Sequence, residues 1–410
     1  MKACFQSSSI LLPKKEYCTS NWPVVACDQY TSQPEYWKEV ESKIQECPST
    51  LHMIYPEAYL DQGDARIPKI NNTMREYLEK GILEETIQDG FILIERKTIS
   101  GNRLGLIGKV DLESYEYMSN SKAFVRATEQ TVVSRIPPRV KIRENAPLEC
   151  PHVMLLIDDE QGKIIENLYI QKEQFSIAYD LDLIQEGGHL TGYKITGEIV
   201  EEINQKLYDF EQNSHGLFLV VGDGNHSLAT AKTCWENIKK NLSKEEQEKH
   251  PARYALVELV NLHSLALQFE PIHRLLFHVD AQNLFFSFLM YLRKEHMDIQ
   301  EGKEICFASN EIQISFSISN KQSRIPVEIL QTFLDQYLLE HPESTIDYIH
   351  GDDVINSLGR EKGNCGILLT AIQKEDLFPS IREGHTLPRK TFSMGEANEK
   401  RYYMETRYIK

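Results

Sequence analysis

Gly222, Asp223, Gly224, Asn225, His226 and Ser227 gather an acid, an amide, an imidazole and a hydroxyl around two glycines. Such a set suits an oxyanion: backbone N–H groups to hold it, an acid to bind Mg²⁺ or take a proton, and an imidazole to move one. The apolar run Leu217-Phe218-Leu219-Val220-Val221 ahead of it predicts a buried strand. Leu228-Ala229-Thr230-Ala231-Lys232 behind it has the composition of a helix's first turns. A strand that breaks at glycines and re-enters as a helix collects unpaired N–H groups at the positive end of the helix dipole, where phosphate binds. A histidine in that first turn is disfavoured from protonation by the same dipole, so His226 is expected to be neutral at pH 7.

Competing readings of these residues differ in what they require. Asp223 could simply cap the helix, a common use of aspartate. Gly222-x-Gly224-x-x-Ser227 approaches the dinucleotide fingerprint, but an aspartate between the glycines opposes a pyrophosphate. The acidic strand end expected about twenty residues later in that fingerprint is replaced by the charged run Lys244–Lys249. No G-x-x-x-x-G-K-[ST], G-x-S-x-G or H-E-x-x-H occurs, which excludes P-loop, serine-hydrolase and zinc-protease readings built on those motifs.

The 410 residues suffice for two domains, with 41% hydrophobic and 26% charged positions. A net charge of −16, from 45 basic against 61 acidic residues, speaks against nucleic-acid and anionic-membrane partners. A phosphorylated metabolite needs only a local positive pocket. Eight cysteines without a C-x-x-C pair fit a reducing cytoplasm better than zinc or disulfides. No signal peptide or spanning segment is expected, since the apolar stretch Leu284–Leu292 is too short.

Helices are predicted over 32–47, 68–80, 198–211, 243–249, 280–293 and 326–340. Strands are predicted over 90–96 and 103–110, joined as a hairpin, and over 152–157, 163–169, 175–183, 254–260 and 366–372. The prolines 137, 138 and 147 bracket a stretch, 135–143, that reads as basic and extended. They suggest a boundary between regions 1–146 and 147–410, unless the chain forms one domain. Hairpins mixed with helices predict an α+β fold with mixed sheets.

Asp223-Gly224-Asn225-His226-Ser227, with Ala229 and Ala231 beyond, resembles the D-G-H-H-R-x-x-x-A segment of the family termed domain of unknown function 1015. Val24-Val25-Ala26-Cys27-Asp28-Gln29-Tyr30 is similar to its V-V-A-P-P-Y-D-V element, Tyr254–Asn261 with Pro271–Leu275 to its strand and P-T-H-R-L element, and Leu387–Thr391 to its M-P-P-K-S/T element. The family's D-G-x-H-R motif is in turn similar to the phosphate-contacting motif of the ParB and sulfiredoxin fold, which free-serine kinases use. The resemblance therefore implies a ParB/sulfiredoxin-like core and phosphoryl transfer in serine or phosphoserine metabolism, in either direction, with ATP or ADP and Mg²⁺.

Ser227 stands where the motif has arginine, so another cation must replace a bidentate charged fork. Arg274 and then Lys390 are the candidates read from the sequence. On this reading Gly222, Gly224, Asn225 and Ser227 hold phosphate, His226 orients or protonates it, Asp223 binds Mg²⁺ or acts as base, and Asp28 and Glu270 are reserve bases. A non-catalytic sensor of a phosphorylated metabolite or nucleotide, and a phosphoserine phosphatase, are the alternatives.

Overall fold

The computed structural model describes residues 2–27, 30–31, 33–321, 324–382 and 386–410. They divide into two compact units, residues 1–268 with 395–410, and residues 269–394. The expected division at 146/147 is not where the chain divides. That point lies inside the first unit, because the strand Met154–Ile157 pairs with Tyr254–Asn261, which pairs in turn with Gly101–Asp111.

The sheet of the first unit has eleven strands among the described residues. Its main path runs Tyr115–Glu116, Val125–Ala127, Leu219–Asp223, Met154–Ile157, Tyr254–Asn261, Gly101–Asp111, Leu83–Thr98, His189–Ile195 and Ser176–Asp182. Parallel and antiparallel neighbours both occur, as the α+β expectation requires. The hairpin predicted at 90–110 forms its middle and is longer than predicted. Alternation along one strand splits the core in two: Phe91 and Leu93 join Leu207, Leu228 and Trp235, while Ile92 and Ile94 join Trp22, Trp37 and Met404. The sheet is therefore covered on both faces. The helices Glu198–Gln212 and Asn225–Lys239 bury Ile203, Leu207 and Trp235 against the first of them.

Two elements differ from expectation for local reasons. Residues 163–169 do not return as a strand; a helix, Ile165–Ile170, takes their place. Both edges of Met154–Ile157 are already occupied, by Leu219–Asp223 and Tyr254–Asn261, so no ladder is open to a returning strand. Asp159 instead accepts the N–H of Ile164, the residue ahead of the helix, at 2.9 Å. Residues 136–143 are helical, not extended, because the two prolines fall in the first turn, where no N–H is needed.

The C-terminal segment crosses back over the first unit. Leu11 bridges Thr406 and Val24 bridges Tyr403, and Arg407 pairs with Glu149 both in the backbone ladder and through its guanidinium at 2.8 Å. Two buried arginines of the central hairpin grip its carbonyls: Arg96 donates to Asn398 O and Lys400 O, each at 2.6 Å, and Arg103 to Glu399 O at 2.7 Å.

The second unit is an antiparallel sheet in the order Gln313–Ser319, Asp298–Ala308, Asn364–Leu369, Phe269–Phe277 and Thr345–His350, with Phe392–Met394 added to the start of Phe269–Phe277. The helices Ala281–Lys294 and Pro326–Glu340 lay Leu284, Phe288, Leu330 and Leu334 over Ile305 and Phe307. Among the described residues no helix is long and apolar enough to cross a membrane.

Candidate functional site

The strand predicted at 217–221 runs instead from Leu219 to Asp223, and the helix begins at Asn225, three residues before the predicted Leu228. A single residue, Gly224, makes the turn. It holds φ +84° and ψ 27°, the left-handed conformation that L side chains avoid, in the cap position. The pairing register against Met154–Ile157 shifts between Val221 and Asp223, which puts Gly222 at a bulge. Leu219, Val220 and Val221 are buried, and Thr128 donates to Val221 O at 2.7 Å, so the strand fixes the bend from below. All six residues from Gly222 to Ser227 remain partly exposed.

Asp223 does not cap the helix. One carboxylate oxygen accepts the N–H of Gly224 at 2.8 Å, and the other lies 3.4 Å from Lys400 Nζ. Asn225, His226 and Ser227 form the first turn of a fifteen-residue helix. Leu228 N–H already bonds Gly224 O. The Lys400 ammonium thus pairs with Asp223 just ahead of this helix start, the positive end of the helix dipole.

His226 is fixed by its neighbour. Its Nε2 accepts the backbone N–H of Val132 at 3.2 Å, so the single proton of the neutral ring sits on Nδ1. Asn225 Oδ1 and, beside Val132, Thr131 Oγ1 are buried atoms without a hydrogen-bond partner. An amide oxygen in that state suits an N–H or O–H donor.

Sequence reasoning missed Lys400, His152 and Tyr403. Lys400 is brought to Asp223 by the C-terminal segment, and its side chain is only 11% exposed. The His152 ring lies 5.0 Å from that of Tyr403, whose N–H donates to Val24 O at 2.8 Å. The Val24–Cys27 stretch is therefore tied to this segment. Asp28 itself lies outside the described residues. The other two cations are placed in the second unit. Arg274 is fully buried and donates to Gln331 Oε1, Ile272 O and Lys390 O. Lys400 is the ion-pair partner of Asp223 among the described residues, at 3.4 Å. Lys390 sits at φ +58° and offers its carbonyl to Arg274, while Glu270 is an exposed residue of the same strand as Arg274.

Burial pushes the His152 pKa below its ordinary value, with Asp223 acting the other way and Arg401, Arg139 and Lys400 adding to the fall. A histidine whose folded pKa lies below its unfolded one, about 6.5, contributes stability in full above that pH and loses it as pH falls toward the folded pKa. The urea midpoint is thus expected to drop between about pH 7.5 and 5.5, and to drop less in His152→Gln. Equal slopes in the two proteins would remove His152 from this effect.

Among the described residues no three His, Cys, Asp or Glu side chains converge to hold a metal. Within residues 222–227 the carboxylate is that of Asp223.

The chain is similar to free serine kinase solved in complex with AMP, at 10% identity and TM-score 0.39 over 72% of this chain and 90% of that one. A variant of that kinase with ADP gives 8% and 0.40 over the same shares. A conserved hypothetical protein from Pyrococcus furiosus gives 10% and 0.37, over 72% and 92%. SbnI with a C-terminal truncation, from Staphylococcus aureus, gives 7% and 0.38, over 70% and 82%. No curated protein matches significantly. The family match stops short of Leu387–Thr391 but takes in the bend and most of both units. It covers residues 8–339 with the description "protein of unknown function (DUF1015)", and the chain belongs to that family.

Proposed function

We propose that the bend at Gly222–Ser227 binds the phosphoryl group of a small molecule and that the protein transfers it to or from a small hydroxy amino acid of the serine type. The observation that carries this reading is Lys400 Nζ 3.4 Å from Asp223 Oδ2 at the N-terminus of the helix Asn225–Lys239. Phosphoryl transfer is mostly positioning and charge neutralisation, and a helix N-terminus with one ammonium supplies both. Lys400 takes the part of the arginine that Ser227 lacks, as a point charge without a fork. Any proton that His226 moves passes through Nδ1, since Nε2 is held by Val132.

Mg²⁺, where used, arrives with the nucleotide: one carboxylate plus substrate phosphates is a common magnesium arrangement and needs no protein cage. Asp223 is the residue that would meet it.

The test is direct. The purified protein is incubated with serine, ATP or ADP and Mg²⁺, and separately with phosphoserine and ADP. Phosphoserine in the first, or serine with ATP in the second, is the expected result. Tight binding without turnover would make the protein a sensor, and free phosphate from phosphoserine alone would make it a phosphatase; both overturn transfer.

A further inference from the structure

We propose that a small cavity inside the first unit, between Glu258, Arg103 and Arg401, is a site for one buried water molecule that completes the grip on the C-terminal segment. The cavity measures about 10 Å³, and Ile94, Leu190 and Met404 supply its apolar lining. That volume is at the lower limit for holding a single water.

Five charged residues line it, Arg96, Arg103, Glu258, Arg401 and Glu405; three of them carry atoms without a partner and are nearly inaccessible, Glu258 at 1%, Arg401 at 4% and Arg103 at 6% exposure. Arg103 and Arg401 both form ion pairs with Glu258 that are longer than a hydrogen bond. Arg103 Nε stands 3.7 Å from Glu258 Oε1, and Arg401 Nε 3.6 Å from Glu258 Oε2, beyond hydrogen-bond reach. Arg103 Nε, Arg401 Nε and Glu258 Oε1 are all buried and lack a partner. Three unsatisfied atoms around one cavity are not expected of a finished core, where buried polar groups are paired.

None of the three groups is at liberty to close the gap. Arg401 gives its Nη1 to Val153 O at 2.9 Å and its Nη2 to Glu405 at 3.0 Å. Arg103 gives Nη1 to Glu399 O. The Glu258 carboxylate lies over Gly105, so close that a Cβ there would fall 2.4 Å from Oε1. Each guanidinium is committed at its far end, and each Nε stands beside the Glu258 carboxylate at ion-pair distance, without a hydrogen-bond partner and next to the cavity.

The valences select the guest. Two N–H groups need an acceptor and one carboxylate oxygen needs a donor, and water does both at once. An ammonium ion cannot accept from the arginines. A halide cannot donate to Glu258, and would also lie against its negative charge. Arg96 lines the same cavity, but its nitrogens are spent on the carbonyls of Gly187, Asn398 and Lys400.

The consequence reaches the bend. Val153 O accepts both the Glu258 N–H, at 3.0 Å, and Arg401 Nη1, and Val153 Cα is the backbone atom that packs on Gly224. The water therefore belongs to the network that fixes both Val153 and the segment bearing Lys400. It is required by the network whether or not the bend binds phosphate.

Crystals of the full chain, grown once without halide and once in bromide, test this at a resolution that shows ordered solvent. The expected result is a single peak within hydrogen-bond distance of Arg103 Nε, Arg401 Nε and Glu258 Oε1, with no anomalous bromide signal. A bromide signal at that point would overturn the proposal in favour of an anion site. So would an arginine Nε bonded directly to Glu258 with no peak between them.

Discussion

Lys400→Ala is expected to weaken binding of phosphoserine or ADP by about 10- to 100-fold, since a hydrogen bond to a charged group is worth about 1.5–3 kcal/mol. The loss has two sources. The ammonium 3.4 Å from Asp223 goes, and the Asp223 carboxylate is left uncompensated beside the incoming phosphate. Isothermal titration of wild type, Lys400→Ala and Lys400→Arg separates charge from shape, with Arg expected to keep most of the affinity. The Lys400 carbonyl is held by Arg96 whatever the side chain, so the segment should stay in place and the melting temperature should change little. Affinity equal to wild type in the alanine variant would remove Lys400 from the site.

Gly224→Ala is expected to damage both stability and binding. An L residue at φ +84° costs roughly 1–2 kcal/mol. Its Cβ would also stand 3.0 Å from Val153 Cγ2 and 3.1 Å from Val153 Cα, and the latter belongs to a backbone held by Glu258 and Arg401. Overpacking of that kind typically adds about 1–3 kcal/mol. The total should lower the melting temperature by several degrees and displace the N–H groups of Asn225, His226 and Ser227. Gly216→Ala is the control, because Gly216 has the same φ of +84° and a Cβ added there would meet nothing within 4 Å. A smaller fall for Gly216→Ala isolates the contact with Val153. Equal melting temperatures for the two variants would show that the contact relaxes without cost.

The bend is legible in the sequence because its physics is local: two glycines between an apolar run and a helical one allow little else. The helix starts three residues earlier than composition suggests. Asn225, His226 and Ser227 are indifferent helix formers, and the left-handed Gly224, not their propensity, starts the helix. The strand expected at 163–169 is overridden by competition for ladder edges, which depends on the strands Leu219–Asp223 and Tyr254–Asn261 far along the chain. Lys400 is out of reach for the same reason. It meets Asp223 only because Arg96 and Arg103 grip the carbonyls around it, and no spacing within the sequence announces such a contact. Arg274 has the type of a ligand cation, yet it spends its hydrogen bonds on Gln331 and on carbonyls of its own unit. The second unit leaves no linker to read either: the chain enters it at Phe269 and leaves after Met394, both strand residues.

A crystal of the full chain soaked with phosphoserine or ADP would show where the phosphoryl group rests. A phosphate within hydrogen-bond distance of the Asn225, His226 and Ser227 N–H groups and of Lys400 Nζ is the predicted result. A phosphate bound at another place on the chain, with those four donors untouched, would contradict it.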